Sequence, residues 1–194
     1  MVMAKKESQM VDQIAGVLEK RSGKAVSEKV LIGRNTIGTS RRDIAMWVKG
    51  AMERMDSLVP EEDRVAVMEE CGRKCCSINK GVVVKFRKRR SKCDSMDSFL
   101  ESETKKPMRG MKVSKEGNEI HFYYTPRSFG KGMRCYCGLV GGLPPEETMS
   151  RTYCMCSVGF VKTLWESVLE KPVQVGLVRS ALTGSDECEF KITY

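Results

Sequence analysis

The feature that most constrains this chain is a change of period at Pro107. Before it, apolar residues recur at three- and four-residue steps; after it, they alternate with polar ones. A chain of this kind folds as helices followed by an antiparallel sheet, an α+β architecture with one long helix interrupting the strands. Ile14, Val17 and Leu18 mark a first helix that Gly23 interrupts, and Ser27 to Gly38 reads as a connection. Ile44, Trp47, Val48, Ala51, Met52, Met55 and Leu58 form a continuous helical stripe, with Ser40 and Asp43 placed as a capping box. Pro60, followed by Glu61, Glu62 and Asp63, opens a further helix running to about Cys76. A short helix is expected over Cys93 to Glu103.

Beyond Pro107, Met111 to Val113 and Glu119 to Tyr124 flank a turn at Lys115 to Asn118, the pattern of a β-hairpin. Gly138, Gly141, Gly142 and Pro144-Pro145 make a loop. Ser157 to Leu169 carries Val158, Val161, Leu164, Trp165 and Val168 at helical spacing. Val173 to Val178 and Cys188 to Ile192, joined by a turn near Thr183 to Asp186, close the chain as a second hairpin. The organisation read from these patterns is a helical region over 1–105, with a basic segment at 80–92, and a cysteine-rich α+β region over 106–194, packed together as one domain.

The 194 residues, 41% of them hydrophobic, suffice to bury a core. No apolar run approaches the roughly 20 residues of a membrane span, and no apolar signal core follows Met1, so a cytoplasmic protein with no membrane partner is expected. The formal net charge is +9, and it is uneven: residues 1–134 carry +11 and residues 135–194 carry −2. Lys80 to Lys92 holds seven basic and no acidic residues, which raises a nucleic-acid partner. Phe86 is the only aromatic within that run, so a base-stacking platform is missing, and the simpler reading is a solvated loop or helix face.

Seven of the nine cysteines fall in three groups: Cys71-x3-Cys75-Cys76, Cys135-x-Cys137 and Cys154-x-Cys156. On a helix, positions i and i+4 share a face, and on an extended segment i and i+2 do, so each group reads as a two-thiolate pincer. Two pincers complete the tetrahedron that a soft divalent ion such as Zn²⁺ requires. The first-choice ligands are Cys135, Cys137, Cys154 and Cys156, with Cys71 and Cys75 as the next candidates. The competing reading is that buried cysteines act as small hydrophobes, and it is favoured for the isolated Cys93 and Cys188. No ferredoxin spacing, Walker loop, Rossmann glycine pattern or Ser-His-Asp constellation appears. His121, the sole histidine, shares a strand face with Tyr123 and reads as a bystander.

Residues 156–192 add a further indication. Cys156-Ser-Val-Gly-Phe160, the following helix, Lys171 to Val175, and Ser180-x3-Gly184-x3-Cys188-x-Phe190-x-Ile192 resemble the end of 4-vinyl-reductase-type sensor domains, which are themselves similar to the haem-nitric-oxide-binding fold. In the zinc-binding members of that group a glutamate and three cysteines hold the metal. The resemblance places Cys156 or Cys154, and Cys188, at cysteine positions, with Leu177 and Ser180 where the glutamate and middle cysteine are expected. The whole chain also resembles an uncharacterised archaeal and clostridial cysteine-rich set that combines Cys71-Gly72-x2-Cys75 with the two C-x-C pairs.

These readings converge on a small-molecule-binding or sensor-like protein whose cysteines ligate zinc where the helical and sheet regions meet. The alternatives are a cysteine-dependent enzyme, by thiol redox chemistry or nucleophilic attack with Cys71 or Cys75 exposed in a cleft, and then a basic nucleic-acid-binding protein. The amphipathic helices are compatible with packing within one chain or across a homodimer.

Overall fold

A computed structural model of the protein describes residues 5–194. Seven helices and four strands occur among them: α1 (Lys5–Ser22), α2 (Lys24–Val30), α3 (Arg41–Leu58), α4 (Glu61–Ile78), α5 (Gly81–Arg90), α6 (Met96–Lys105), β1 (Met111–Glu116), β2 (Glu119–Tyr124), α7 (Arg151–Leu169), β3 (Gln174–Arg179) and β4 (Cys188–Thr193). The strands form one antiparallel sheet in the order β1-β2-β4-β3. The α+β architecture expected from the period change is the architecture observed.

Local chemistry sets the helix starts. Ser40 accepts from the Asp43 amide while the Asp43 carboxylate accepts from the Ser40 amide, closing the expected capping box of α3. Gly23, at φ 87°, separates α1 from α2. The segment expected to be a connection from Ser27 is therefore helical to Val30, because Ser27 and Val30 are buried and Ser27 bonds the Ala15 carbonyl. At the end of α3, Leu58 continues the helical stripe in sequence but is exposed. Its neighbour Val59, in the extended residue that ends the helix, takes the buried place.

The basic run is α5, a helix and not a loop. Phe86, the aromatic within it, is fully buried and meets Phe99, Phe122 and Trp165 edge to face. Such contacts add about 1 kcal/mol each beyond burial. Several of the cations are engaged: Arg89 binds the Glu103 carboxylate and the Lys106 carbonyl, Arg87 lies 3.7 Å from Glu170, and Arg90 bonds the Cys93 carbonyl.

The core joins the helices to one face of the sheet. Ile120, Phe122, Phe190 and Ile192 alternate inward from β2 and β4 and are fully buried, whereas Glu119, His121 and Tyr123 point to the opposite face. There the Glu189 carboxylate pairs with His121 Nδ1 at 2.9 Å, accepts from the Tyr123 hydroxyl and meets Arg179. The shared face expected for His121 and Tyr123 is thus present, and it lies away from the core.

The helix expected from Ser157 begins six residues earlier, at Arg151. Ser150 caps it, accepting from the Thr152 amide, and Thr152 Oγ1 donates to Asp56 while accepting from Arg64 Nε. This bridge ties the start of α7 to α3 and α4. Among the described residues, no helix is long and apolar enough to cross a membrane.

Candidate functional site: a thiol-lined cavity

The helical start of α7 decides the geometry of the site. Residues two apart on a helix are rotated by about 200°, so Cys154 and Cys156 point in opposite directions and cannot act as the pincer expected of an extended pair. Tyr153, Cys156, Ser157 and Phe160 follow the spacing i, i+3, i+4, i+7 and form one stripe of α7. Met68, Cys71, Gly72 and Cys75 form a matching stripe of α4. Between these stripes, the end of the sheet and the loop before α7 lies a cavity of about 430 Å³. That size is in the range of small-molecule sites.

Two glycines set the spacing of its walls. A Cβ built on Gly72 would overlap the carbonyl oxygen of Cys156, and one on Gly159 would overlap the carbonyl oxygen of Glu69. The backbones of α4 and α7 therefore touch, and the order of the paired positions makes the helices antiparallel. Side chains flanking this contact are drawn together from two distant parts of the sequence.

Five of the six cysteines expected at the site line the cavity: Cys71 and Cys75 from α4, Cys135 and Cys137 from the loop, and Cys156 from α7. Cys188, read from the sequence as an isolated small hydrophobe, borders it as well. Within the loop pair, the Cys137 amide donates to Cys135 Sγ at 3.5 Å. The Tyr153 hydroxyl donates to Cys137 Sγ at 3.0 Å, and Asn79 Nδ2 donates to Cys75 Sγ at 3.4 Å. Sequence reasoning missed Tyr153 and Asn79. Their signal was present, because each falls on the helical stripe of a cysteine, Tyr153 three residues before Cys156 and Asn79 four after Cys75.

Burial governs the chemistry of these sulfurs. It raises the Cys71 thiol to about 12, with the neighbouring Lys74 opposing and Glu70 reinforcing the shift. It also raises Cys76 to about 11. Cys135 and Cys156 keep some accessible surface, yet that surface faces the cavity; desolvation followed by the nearby Cys137 sulfur pushes both well above the ordinary thiol range. Such thiols stay protonated at neutral pH and are poor nucleophiles. Of Cys71 and Cys75, either of which is expected from the sequence to be exposed in a cleft as an enzyme's nucleophile, Cys71 is 7% exposed and Cys75 is half-buried in the cavity wall.

Cys154 occupies a different place. On the far side of α7 it sits 3.0 Å from Ser180 Oγ, with Cys188 Sγ 3.9 Å from the same hydroxyl. The resemblance to zinc-binding sensor domains assigns metal ligands to these positions, and the structure brings Cys154, Ser180 and Cys188 together. The donor set does not fit zinc. Two thiols and a hydroxyl replace three thiolates, Leu177 replaces the carboxylate, and Ser180 Oγ and Cys188 Sγ already accept the Leu182 and Ala181 amides. Haem held through histidine does not fit the cavity either, since His121 lies on the outer sheet face. Among the described residues, no group of three or more His, Cys, Asp or Glu side chains is disposed to hold a metal ion. The first-choice ligand set of Cys135, Cys137, Cys154 and Cys156 is divided between the two sides of α7.

Fold and site together define an α+β domain with a cysteine-lined internal cavity. The chain belongs to the family of unknown function DUF6144, which matches residues 2–194. No curated protein matches its sequence. Among solved structures it is similar to an H-NOX protein from S. oneidensis in the Fe(II)NO ligation state, at 12% identity and a TM-score of 0.41, over 94% of this chain and 96% of that one. It is also similar to an H-NOX domain from Shewanella oneidensis in the Fe(II)CO state, at 16% identity and a TM-score of 0.41, over 93% and 96%. A mutant of that domain gives 13% and 0.44, over 95% and 96%.

Proposed function

We propose that this protein is a small-molecule-binding, sensor-like domain whose ligand occupies the cavity bordered by α4, α7, the end of the sheet and the loop before α7. The observation that carries the reading is the cavity itself: about 430 Å³, walled largely by apolar and sulfur-bearing side chains, and built where helices, sheet and loop meet. Methionines 10, 68, 108 and 111 are among its lining residues. Unbranched thioethers adapt to a ligand's shape more readily than branched side chains do. Protonated thiols extend the same soft, weakly polar lining. A neutral apolar fluorophore such as N-phenyl-1-naphthylamine tests this directly: it should bind with saturable fluorescence enhancement. Val82→Trp, which fills the cavity from α5, should abolish that binding while circular dichroism stays unchanged. Absence of saturable binding to the native protein rejects the reading.

The second reading is a soft metal, zinc foremost, held by cavity thiols. Cys75, Cys135, Cys137 and Cys156 line the one cavity while Cys154 lies with Ser180 outside it, which supports a set of those four. Binding would displace the thiol protons and require the side chains to close from their present positions. Elemental analysis of anaerobically purified protein, with thiols counted in the same sample, tests it: about one zinc per chain supports this set, and no metal rejects it.

A further inference from the structure

The charges around the cavity are all of one sign. Its lining includes Lys85, Arg109 and Arg134, and no aspartate or glutamate. None of the three has a carboxylate within ion-pair distance among the described residues, whereas Arg21, Arg34, Arg64, Arg87, Arg89, Arg127 and Arg179 each have one. Lys85 and Arg109 are exposed at the cavity mouth. Arg109 lies over the Phe129 ring, 4.5 Å from its centroid, and donates once, to the Ser128 carbonyl. Arg134 donates to the carbonyls of Leu143, Pro144 and Glu147, which fix its guanidinium in place without neutralising it.

Three positive charges beside an apolar interior, with no acid to balance them, describe a receptor for a molecule of opposite construction. Resting on the ligand-binding reading above, we propose that the ligand is an apolar carboxylic acid, with its hydrocarbon body against the methionines and thiols and its carboxylate at the mouth between Lys85 and Arg109. A carboxylate entering this region without partners would lose hydration and bind worse than an alcohol of equal length. With two flanking cations it gains charge-assisted hydrogen bonds instead. The sign of the preference between acid and alcohol therefore reports whether these cations act on the ligand.

The test compares decanoate with decan-1-ol by isothermal titration at pH 7.5, below the concentration at which decanoate forms micelles. Decanoate should bind about tenfold more tightly than decanol, which corresponds to about 1.4 kcal/mol. In the double variant Lys85→Gln/Arg109→Gln that advantage, read as the ratio of the two affinities, should fall to about twofold or less; salt should weaken decanoate selectively. Equal affinities for acid and alcohol overturn the carboxylate assignment and leave the cavity reading intact. An acid preference that survives in the double variant also overturns it, because the selectivity then arises elsewhere. Failure of both molecules to bind, together with failure of the neutral fluorophore, rejects the cavity reading itself.

Discussion

Gly72 and Gly159 make reciprocal backbone contacts across the antiparallel pair α4 and α7: Gly72 lies against the carbonyl of Cys156, and Gly159 against the carbonyl of Glu69. Neither position has room for a methyl group, and the atoms in the way are main-chain atoms that cannot rotate aside. The contact brings Cys71 and Cys75 to the same cavity as Cys156, across more than eighty residues of sequence.

Gly72→Ala and Gly159→Ala should each cost about 2–4 kcal/mol, as forced overpacking of rigid neighbours does. Gly16→Ala provides the contrast. It lies within α1 with nothing near its added Cβ, and the gain in helix propensity should raise stability by about 0.5–1 kcal/mol. Urea denaturation of the three variants measures both signs.

Stability should fall steeply at alkaline pH. The folded protein holds the thiol protons of Cys71 to about 12 and of Cys76 and Cys154 to about 11, against 9.0 for a free thiol. A raised folded value contributes stability that is complete below the unfolded value and is lost as pH rises through the folded one. The window is thus pH 9 to 12. Melting temperature measured across it should drop, and Cys71→Ala should flatten the slope.

Cys154 and Cys156 should behave as unrelated residues despite their spacing. If cavity thiols take up a soft ion, Cys156→Ser should diminish the thiolate-to-cadmium absorbance in a cadmium titration, and Cys154→Ser should leave it unchanged. Equal losses in the two variants would contradict the placement of Cys154 with Ser180.

Arg89→Leu should destabilise the fold by about 3 kcal/mol, because it strands the Glu103 carboxylate, which is 1% exposed, without its cation. Restoring a neutral partner by adding Glu103→Gln should recover part of the loss. A chemical denaturation cycle over the two single variants and the double variant measures the coupling.

Much of the architecture was legible in the sequence because it depends on local periodicity. The α3 stripe and its Ser40–Asp43 box, the two hairpins and the helix through Trp165 follow from residues a few positions apart. The cysteine groups were equally visible as candidates for one site. Their geometry was not, since it depends on secondary structure at Arg151 to Cys156, where consecutive Tyr153, Cys154, Met155 and Cys156 give no helical spacing of apolar residues. Once that segment is helical, Cys156 turns to the cavity with Tyr153 and Ser157, and Cys154 turns to Ser180 and Cys188. A glycine within a helical pattern is a sign of close approach, and Gly72 and Gly159 carried that sign without naming their partners.

The sequence by itself determined the α+β class, the position of most helices and strands, the one-sided distribution of charge and the identity of the sulfur-bearing residues. Only the tertiary structure decided which sulfurs share a cavity, that Arg89 serves Glu103 while Lys85 and Arg109 face the cavity mouth, and that His121 stands apart on the outer sheet face. The physical reason is range. Secondary structure and capping are set by neighbours along the chain, whereas the cavity exists because main-chain atoms of two distant helices meet at glycines, and no local pattern records that meeting.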